Sequence, residues 1–525
     1  MYIILRFLWF VIIILSNGDE HFESKCCLFE SVAGEVALFS EPVSGPVREP
    51  TSGNWHMIRR IFQLAVITIV LNTSAQAPTP RYSSIVIPNV PHIEQKKDFC
   101  AEACAAMVLQ KLGEDVDQDY IFDRAGVPAD EARGLYASEL AYALEQIGFD
   151  VGNIWTPHFN ETDQEKAFAR LHGDLLSMIP SIVLMHTSKS NPDEHFRLVL
   201  GYDAVGDNVI YHEPSLKEGA YRTMSRSMFM ELWAVQDEYQ WGTVRIRLAP
   251  RALEYGNVET ELTEADYAQH MMVLNERVPD DFIVMIEKPF VLVSDCPPAE
   301  VADYAVRIVH QVVTLLKKDF FLKDPNEIID IWLLRDQDSY RRHSRRQFGI
   351  DPETPYGFYS PAHHSLILDI STGGGTLVHE IVHPFVAANF KDCPVWFNEG
   401  LASLYERPTV TNGRLYGLRN WRLPGLQDAI RREEIRAVDE LFSMDEKRFY
   451  EDASGIPYAQ SKYIAFYLQQ RGLLVDYYHA FYENRKTDPL GMETLRAILH
   501  IEDLSEFQAE WQNWILKIDS ESDVM

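Results

Sequence analysis

Cysteine is scarce in this sequence. The 525-residue chain has six, too few to staple a scaffold of this length with disulfides. A cysteine that matters here is present for its thiol chemistry. Basic charge is also short: 48 Lys and Arg stand against 78 Asp and Glu, a formal net charge of −30. Polyphosphate binding needs a positive face, so nucleic acid is excluded as a partner. Long apolar runs are confined to the first 77 residues. No internal repeat is present. Gly373–Gly375 follows a predicted strand but lacks the Lys-Ser/Thr that completes a phosphate-binding loop. What remains is 46% hydrophobic and 24% charged, a globular composition. At roughly 100–200 residues per domain the length allows about two to four domains.

The N-terminal region reads as a leader over 1–77. After Met57 the stretch MIRRIFQLAVITIVLNTSAQA has a basic start (Arg59, Arg60), an apolar core and a small-residue ending at Ala75-Gln-Ala77. That is the layout of a secretory signal peptide. The expectation is an exported chain, secreted or periplasmic, that touches a membrane only through this leader if it stays uncleaved. The earlier run MYIILRFLWFVIIIL makes a membrane anchor the alternative. Beyond residue 77 four cysteines remain: Cys100, Cys104, Cys296 and Cys393.

Periodicity divides the rest into two halves with an α+β pattern. Over 78–250, helical spacing (from Cys100 to Gly113, 136–148, 163–178) gives way to strand-like runs at 181–186, 196–203, 208–214 and 242–248. A polar, acidic stretch over 251–280 serves as linker plus helix. The second half spans 281–518, and an acidic tail over 519–525 follows. It opens with two strand-like runs over 281–295, a helix over 299–317, and strands at 327–336 and 365–370. From about 420 onward it is helical.

Two groups of residues carry chemistry. In HEIVH, His379 and His383 share a helix face and can aim two imidazoles at one cation, with Glu380 beside them to accept a proton from water. Zinc needs a third protein ligand and an open position. Glu399, 16 residues after His383 in WFNEGLASLYE, is the candidate, with Ser403 and Glu406 behind it. Pro384 crowds the carbonyl of Glu380 and biases His383 away from the helical region. The expectation is a kink just past the turn that holds both histidines. In the first half, a cysteine nucleophile needs a base, a group to orient that base, and an oxyanion donor. Cys100 begins a helix, where the dipole favours thiolate. Gln95 precedes it by five residues, His195 opens the strand HFRLVLGYD, and Glu213 ends the next strand, 18 residues after His195.

Both groups resemble known peptidases. Gly357-Phe358-Tyr359, SLILDI, HEIVH and Trp396-Phe397-Asn398-Glu399-Gly400-Leu401-Ala402 resemble the gluzincin metallopeptidases of the peptidase MA-like group over roughly 285–515. The resemblance implies Zn(2+) on His379, His383 and Glu399, with Glu380 as base. It also implies a peptide pairing with the strand 365–370, and Tyr458, with Tyr463 behind it, as oxyanion donor. The short spacing to Glu399 does not carry over exopeptidase activity. Gln95, Cys100-Ala101-Glu102-Ala103-Cys104-Ala105-Ala106-Met107, His195-Phe196, Gly201-Tyr202-Asp203 and Glu213-Pro214 resemble the bacteriocin-processing (double-glycine) branch of papain-like cysteine peptidases over about 85–250. Ala101 stands where that family has glycine, and Glu213 where it has Asp or Asn. Together the resemblances imply a two-domain peptidase acting on peptides or proteins. Nothing in the sequence speaks to its oligomeric state.

Overall fold

The strand and helix periods resolve into two sheets that share a core. The computed structural model describes residues 81–236, 240–253, 262–352 and 354–518, all within one unit that runs Pro80–Met525. The leader expected over 1–77 and the acidic tail over 519–525 lie outside the described residues. Among those residues no helix is long and apolar enough to cross a membrane.

In the first half the helix Cys100–Lys111 is buried from Ala101 to Leu109, Glu102 included, as suits an otherwise small and apolar run. Helices Gln118–Ala125, Ala137–Ile147 and Glu161–Leu176 follow. Asp117 caps the first of these by accepting from the Asp119 and Tyr120 amides, and Gly126 ends it in the left-handed region. An antiparallel sheet carries the strands in the order Trp155–Pro157, Trp241–Arg247, Ser181–His186, Glu194–Asp203, Asn208–His212 and Arg222–Ser225. The helix Cys100–Lys111 packs on Glu194–Asp203, the long central strand.

The second sheet runs Ile283–Glu287, Phe290–Ser294, Ile329–Leu334, Ser365–Asp369, Gly357–Ser360. Its three inner strands are parallel and its two outer strands antiparallel. This corrects one expectation. The strand expected over 365–370 to accept a peptide is interior, paired on both sides. The free edge belongs to Gly357–Ser360, because the chain first runs out along GFYS and then turns back inward through SLILD.

Side chains alternate across a strand, and here both faces are apolar. Leu292, Ile331, Leu333, Leu366 and Leu368 face the helices of the second half. Val291, Val293, Trp332, Leu334 and Ile367 face the first half. The stretch read as linker plus helix holds the helix Glu264–Asn275, which buries Ala265, Tyr267, Ala268, Met271, Met272 and Leu274 in that same shared core. Thr263 and Asp266 cap its start reciprocally. The helix predicted over 299–317 is Pro298–Tyr304 and Gln311–Asp319 with a π-helical turn, Ala305–His310, between them. A hairpin, Pro408–Thr411 with Arg414–Gly417, precedes the helical C-terminal region.

Pro384 does not end its helix. Gly375–Asn389 runs through it, with both histidines on the turn before it. Proline removes one backbone donor and leaves the Glu380 carbonyl without its helical partner. Burial of Ile381, Val382, Phe385 and Val386 on either side holds the helix together across the gap.

Candidate active sites

The cysteine centre begins at a tight turn. Phe99 N–H donates to the Lys96 carbonyl (3.1 Å), and Asp98 sits at φ 57°. A Cβ on Gly134 would stand 1.9 Å from the Asp98 carbonyl oxygen, so only glycine lets that neighbouring segment close over the turn. Cys100 is half-buried at the helix start. Burial pushes its thiol up to about 12, against a smaller opposing pull from a backbone hydrogen bond at Phe196. That bond sets the thiol beside the residue that follows His195. Cys104, one turn on, faces the Phe196 carbonyl (3.9 Å), and both thiols are free.

His195 Nε2 lies 2.5 Å from Glu213 Oε1. Ser215 Oγ donates to the same carboxylate oxygen at 2.8 Å. Glu213 Oε2 accepts from Arg197 Nε at 2.6 Å. Burial raises the Glu213 carboxyl, but its bond to His195 and the charges of His195 and Arg197 outweigh that and hold it at about 2. Gln95 is tied to the same corner, since its N–H donates to the Pro214 carbonyl (2.9 Å). Its side-chain Oε1 is buried with no hydrogen-bond partner.

Arg197 escaped the sequence reading, although its place two residues after His195 puts both on one strand face. It is buried, and its other nitrogens donate to the His186 (3.2 Å) and Thr187 (3.1 Å) carbonyls. Arg197→Met leaves Glu213 a buried carboxylate without its cation. A loss of about 3–5 kcal/mol in unfolding free energy is expected, read by urea denaturation. A loss below about 1 kcal/mol would show that Arg197 and Glu213 do not act as a buried pair.

The second centre gathers His379, His383 and Glu399. One ligand atom from each lies within 4.8 Å of the others. The two rings stand 5.0 Å apart on the helix Gly375–Asn389. Glu399 comes from the helix Val395–Leu404, which packs directly against Ile456–Gln470. A Cβ on Gly400 would meet the Ser461 carbonyl at 2.8 Å, which explains the glycine of the N-E-G sequence. His379 Nε2 is 3.4 Å and His383 Nε2 3.9 Å from the Glu399 carboxylate. These separations allow charge attraction, yet Glu399 Oε2 and His379 Nδ1 remain buried without a hydrogen-bond partner.

The surroundings orient these groups. His383 Nδ1 pairs with Asn398 Oδ1 at 3.0 Å, turning Nε2 toward the cluster. Tyr450, 51 residues from Glu399 and unsignalled in the sequence, donates its hydroxyl to Glu399 Oε1 at 2.8 Å. Glu406 Oε1 stands 3.7 Å from His379 Nδ1 and is itself held by Arg422 (2.7 Å) and Asn420 (2.6 Å). Burial lowers the His379 imidazole, but Glu399, Glu380 and Glu406 outweigh it and lift it to about 9. Burial raises Glu399, and its bond to His379 and the charges of both histidines bring it down to about 2. A two-histidine, one-carboxylate set with unsatisfied buried donor atoms suits a zinc ion.

The remaining residues read from the sequence separate. Glu380 is half-buried on the same helix, and its charge reaches Tyr458. Tyr458 packs edge-on to Phe449 (4.9 Å) and under the Arg422 guanidinium (5.2 Å). Burial, then the Glu399 charge, raises its hydroxyl. Tyr463 is fully buried and accepts from the Asn420 amide (3.2 Å), so it belongs to the core. Ser403 is buried, and its carbonyl accepts from Lys462 at 2.7 Å.

Comparison with known proteins touches the first centre. No curated protein matches the chain. Among solved structures it is similar to the peptidase domain of Streptococcus ComA, a bi-functional ABC transporter involved in quorum sensing. That similarity has 18% identity and a TM-score of 0.22, and covers 31% of this chain and 100% of that one. The segment 87–240 matches the Peptidase_C39 like family, a match that ends before the His379–Glu399 cluster. The part of the chain that carries Cys100, His195 and Glu213 is thus similar to a C39-like, papain-type peptidase domain.

Proposed function

We propose that this chain is an exported peptidase with two hydrolytic centres. In the first, His195 takes the proton of Cys100 and the thiolate attacks a peptide carbonyl. Gln95 steadies the oxyanion, and His195 returns the proton to the leaving amine. Glu213 keeps His195 turned toward the thiol and compensates its charge. Water then releases the acyl group. In the second centre, His379, His383 and Glu399 would hold the zinc ion, and Glu380 accepts the proton of the attacking water. Zinc supplies Lewis acidity when bound. Tyr450 fixes Glu399, Asn398 fixes His383, and Tyr458 is the candidate oxyanion donor.

The observation that carries this reading is the approach of His379, His383 and Glu399 to within 4.8 Å, beside a segment already similar to a cysteine peptidase. One observation favours a second reading, in which the first half only presents peptides to the second. Arg197 shares the Glu213 charge, and the Cys100 thiol stands at about 12, so thiolate is scarce at neutral pH.

A peptide library incubated with the wild type, with Cys100→Ala and with a chelator separates the readings. Two products sets, one lost with Cys100→Ala and one lost on chelation, are expected. Full activity in Cys100→Ala that vanishes on chelation would leave only the peptide-presenting reading. Activity indifferent to both treatments would end the proposal.

A further inference from the structure

The loop Glu94–Phe99 sets Gln95 and Cys100 relative to one another, and three outside groups hold its backbone. Gln118 bridges it, accepting from Lys96 N–H (2.8 Å) and donating to the Glu94 carbonyl (3.3 Å). Pro214 accepts from Gln95 N–H at 2.9 Å. Both belong to the cysteine half. The third hold comes from elsewhere: Gln269 Nε2 donates to the Lys97 carbonyl at 2.8 Å.

Gln269 lies on the connecting helix Glu264–Asn275, and that helix is fastened to the second half. The next residue, His270, places Nε2 2.6 Å from Asp330 Oδ1, and Arg277 reaches Oδ2 at 2.7 Å. Asp330 is 1% exposed on the central strand Ile329–Leu334. Ala265 N–H donates to Asp123 Oδ1 at 2.9 Å, and Lys97 pairs with Glu276 at the helix end. Adjacent residues on one helix therefore grip the nucleophile loop and the sheet of the second half.

We propose that Gln269 is a positioning residue of the cysteine centre, fixing the Lys97–Asp98 peptide so that the Gln95 amide and the Cys100 backbone N–H converge on one oxyanion. The proposal rests on the reading of Cys100 as nucleophile. It makes the second half a structural part of the first centre. Besides this bond, the peptide is held by the turn that Phe99 N–H closes on the Lys96 carbonyl (3.1 Å), with Asp98 at positive φ. Releasing its carbonyl lets the two oxyanion donors move apart, and small displacements of that kind are costly to transition-state binding.

The test uses the full chain and two thiol probes. Acylation of Cys100 by p-nitrophenyl acetate passes through an oxyanion, whereas alkylation by iodoacetamide does not. Cys100-dependent acylation is the part of the p-nitrophenolate burst lost in Cys100→Ala. Gln269→Met, which keeps length and removes the donor, is expected to slow acylation about tenfold and alkylation by less than about twofold. Gln269→Lys restores a donor of sufficient reach and is expected to recover acylation. Equal acylation in wild type and Gln269→Met would overturn the proposal. So would an equal fall in both probes, since that is the signature of general loosening. If wild-type Cys100 shows no acylation and its alkylation is unchanged by His195→Ala, the nucleophile reading fails and takes this proposal with it.

Discussion

Glu380→Gln is expected to lower chelator-sensitive peptide hydrolysis by about 10²–10⁴-fold, the usual worth of a positioned general base. The substitution preserves shape and removes the proton acceptor. Glu380 is not among the three groups whose ligand atoms converge, so zinc content should stay near one ion per chain. Glu399→Ala makes the contrast. It removes a ligand, leaves the Tyr450 hydroxyl without its acceptor, and should lose metal and hydrolysis together. Both measurements belong in the Cys100→Ala background, where only the second centre contributes. Metal analysis after native purification, paired with hydrolysis rates, checks them. A Glu380→Gln chain that hydrolyses peptides at the wild-type rate would remove Glu380 from the mechanism.

The second large effect concerns stability and comes from Glu102. Its carboxyl is fully buried two residues past Cys100. Oε1 accepts from Leu135 N–H at 2.8 Å, and Oε2 has no partner. Burial lifts its pKa from 4.5 to about 8. The folded chain thus keeps a proton that the unfolded chain gives up, and stability falls as pH rises from 4.5 to 8. Over the whole window the cost is on the order of 5 kcal/mol. Gln keeps the acceptor for Leu135 and cannot ionise. Glu102→Gln is therefore expected to match the wild type near pH 4 and to exceed it progressively toward pH 8. Urea unfolding at both pH values reads the difference. A gain that is the same at pH 4 and pH 8 would mean Glu102 does not titrate in this range. Glu213 behaves oppositely. Held at about 2, its stabilising contribution is complete above the unfolded value of 4.5 and is lost progressively as pH falls from 4.5 through 2.

Much of the first centre was legible because local rules govern it. His195 and Glu213 sit at the ends of strands whose periods are strong, and Cys100 heads a helix of small residues with an evident stop at Gly113. Arg197 was legible in principle from strand alternation alone. It was passed over because a buried arginine has no period of its own, and its partner lies 16 residues away. In the second centre, helical spacing placed His379, Glu380 and His383 on one turn. Tyr450 comes from one segment and Asn420 and Arg422 from another, neither sharing a period with the HEIVH helix, so only packing could bring them to Glu399 and Glu406.

Pro384 removes one helical hydrogen bond, and apolar burial on both sides carries the helix through it. One expectation failed for a tertiary reason. The strand at 365–370 looked like an edge because it precedes the HEIVH helix, but strand order is a property of the whole sheet. Gly357–Ser360 pairs outside it.

The sequence by itself determined most element types, the candidates Cys100 and His195, and the spacing of two histidines, because these depend on neighbours within one or two turns. The tertiary structure decided what joins the halves. The helix expected within 251–280 became a buried one, since both faces of the second sheet are apolar and the one turned toward the first half needs a cover. That cover carries Gln269 and His270 side by side, and so brings the nucleophile loop and the second sheet within reach of a single helix.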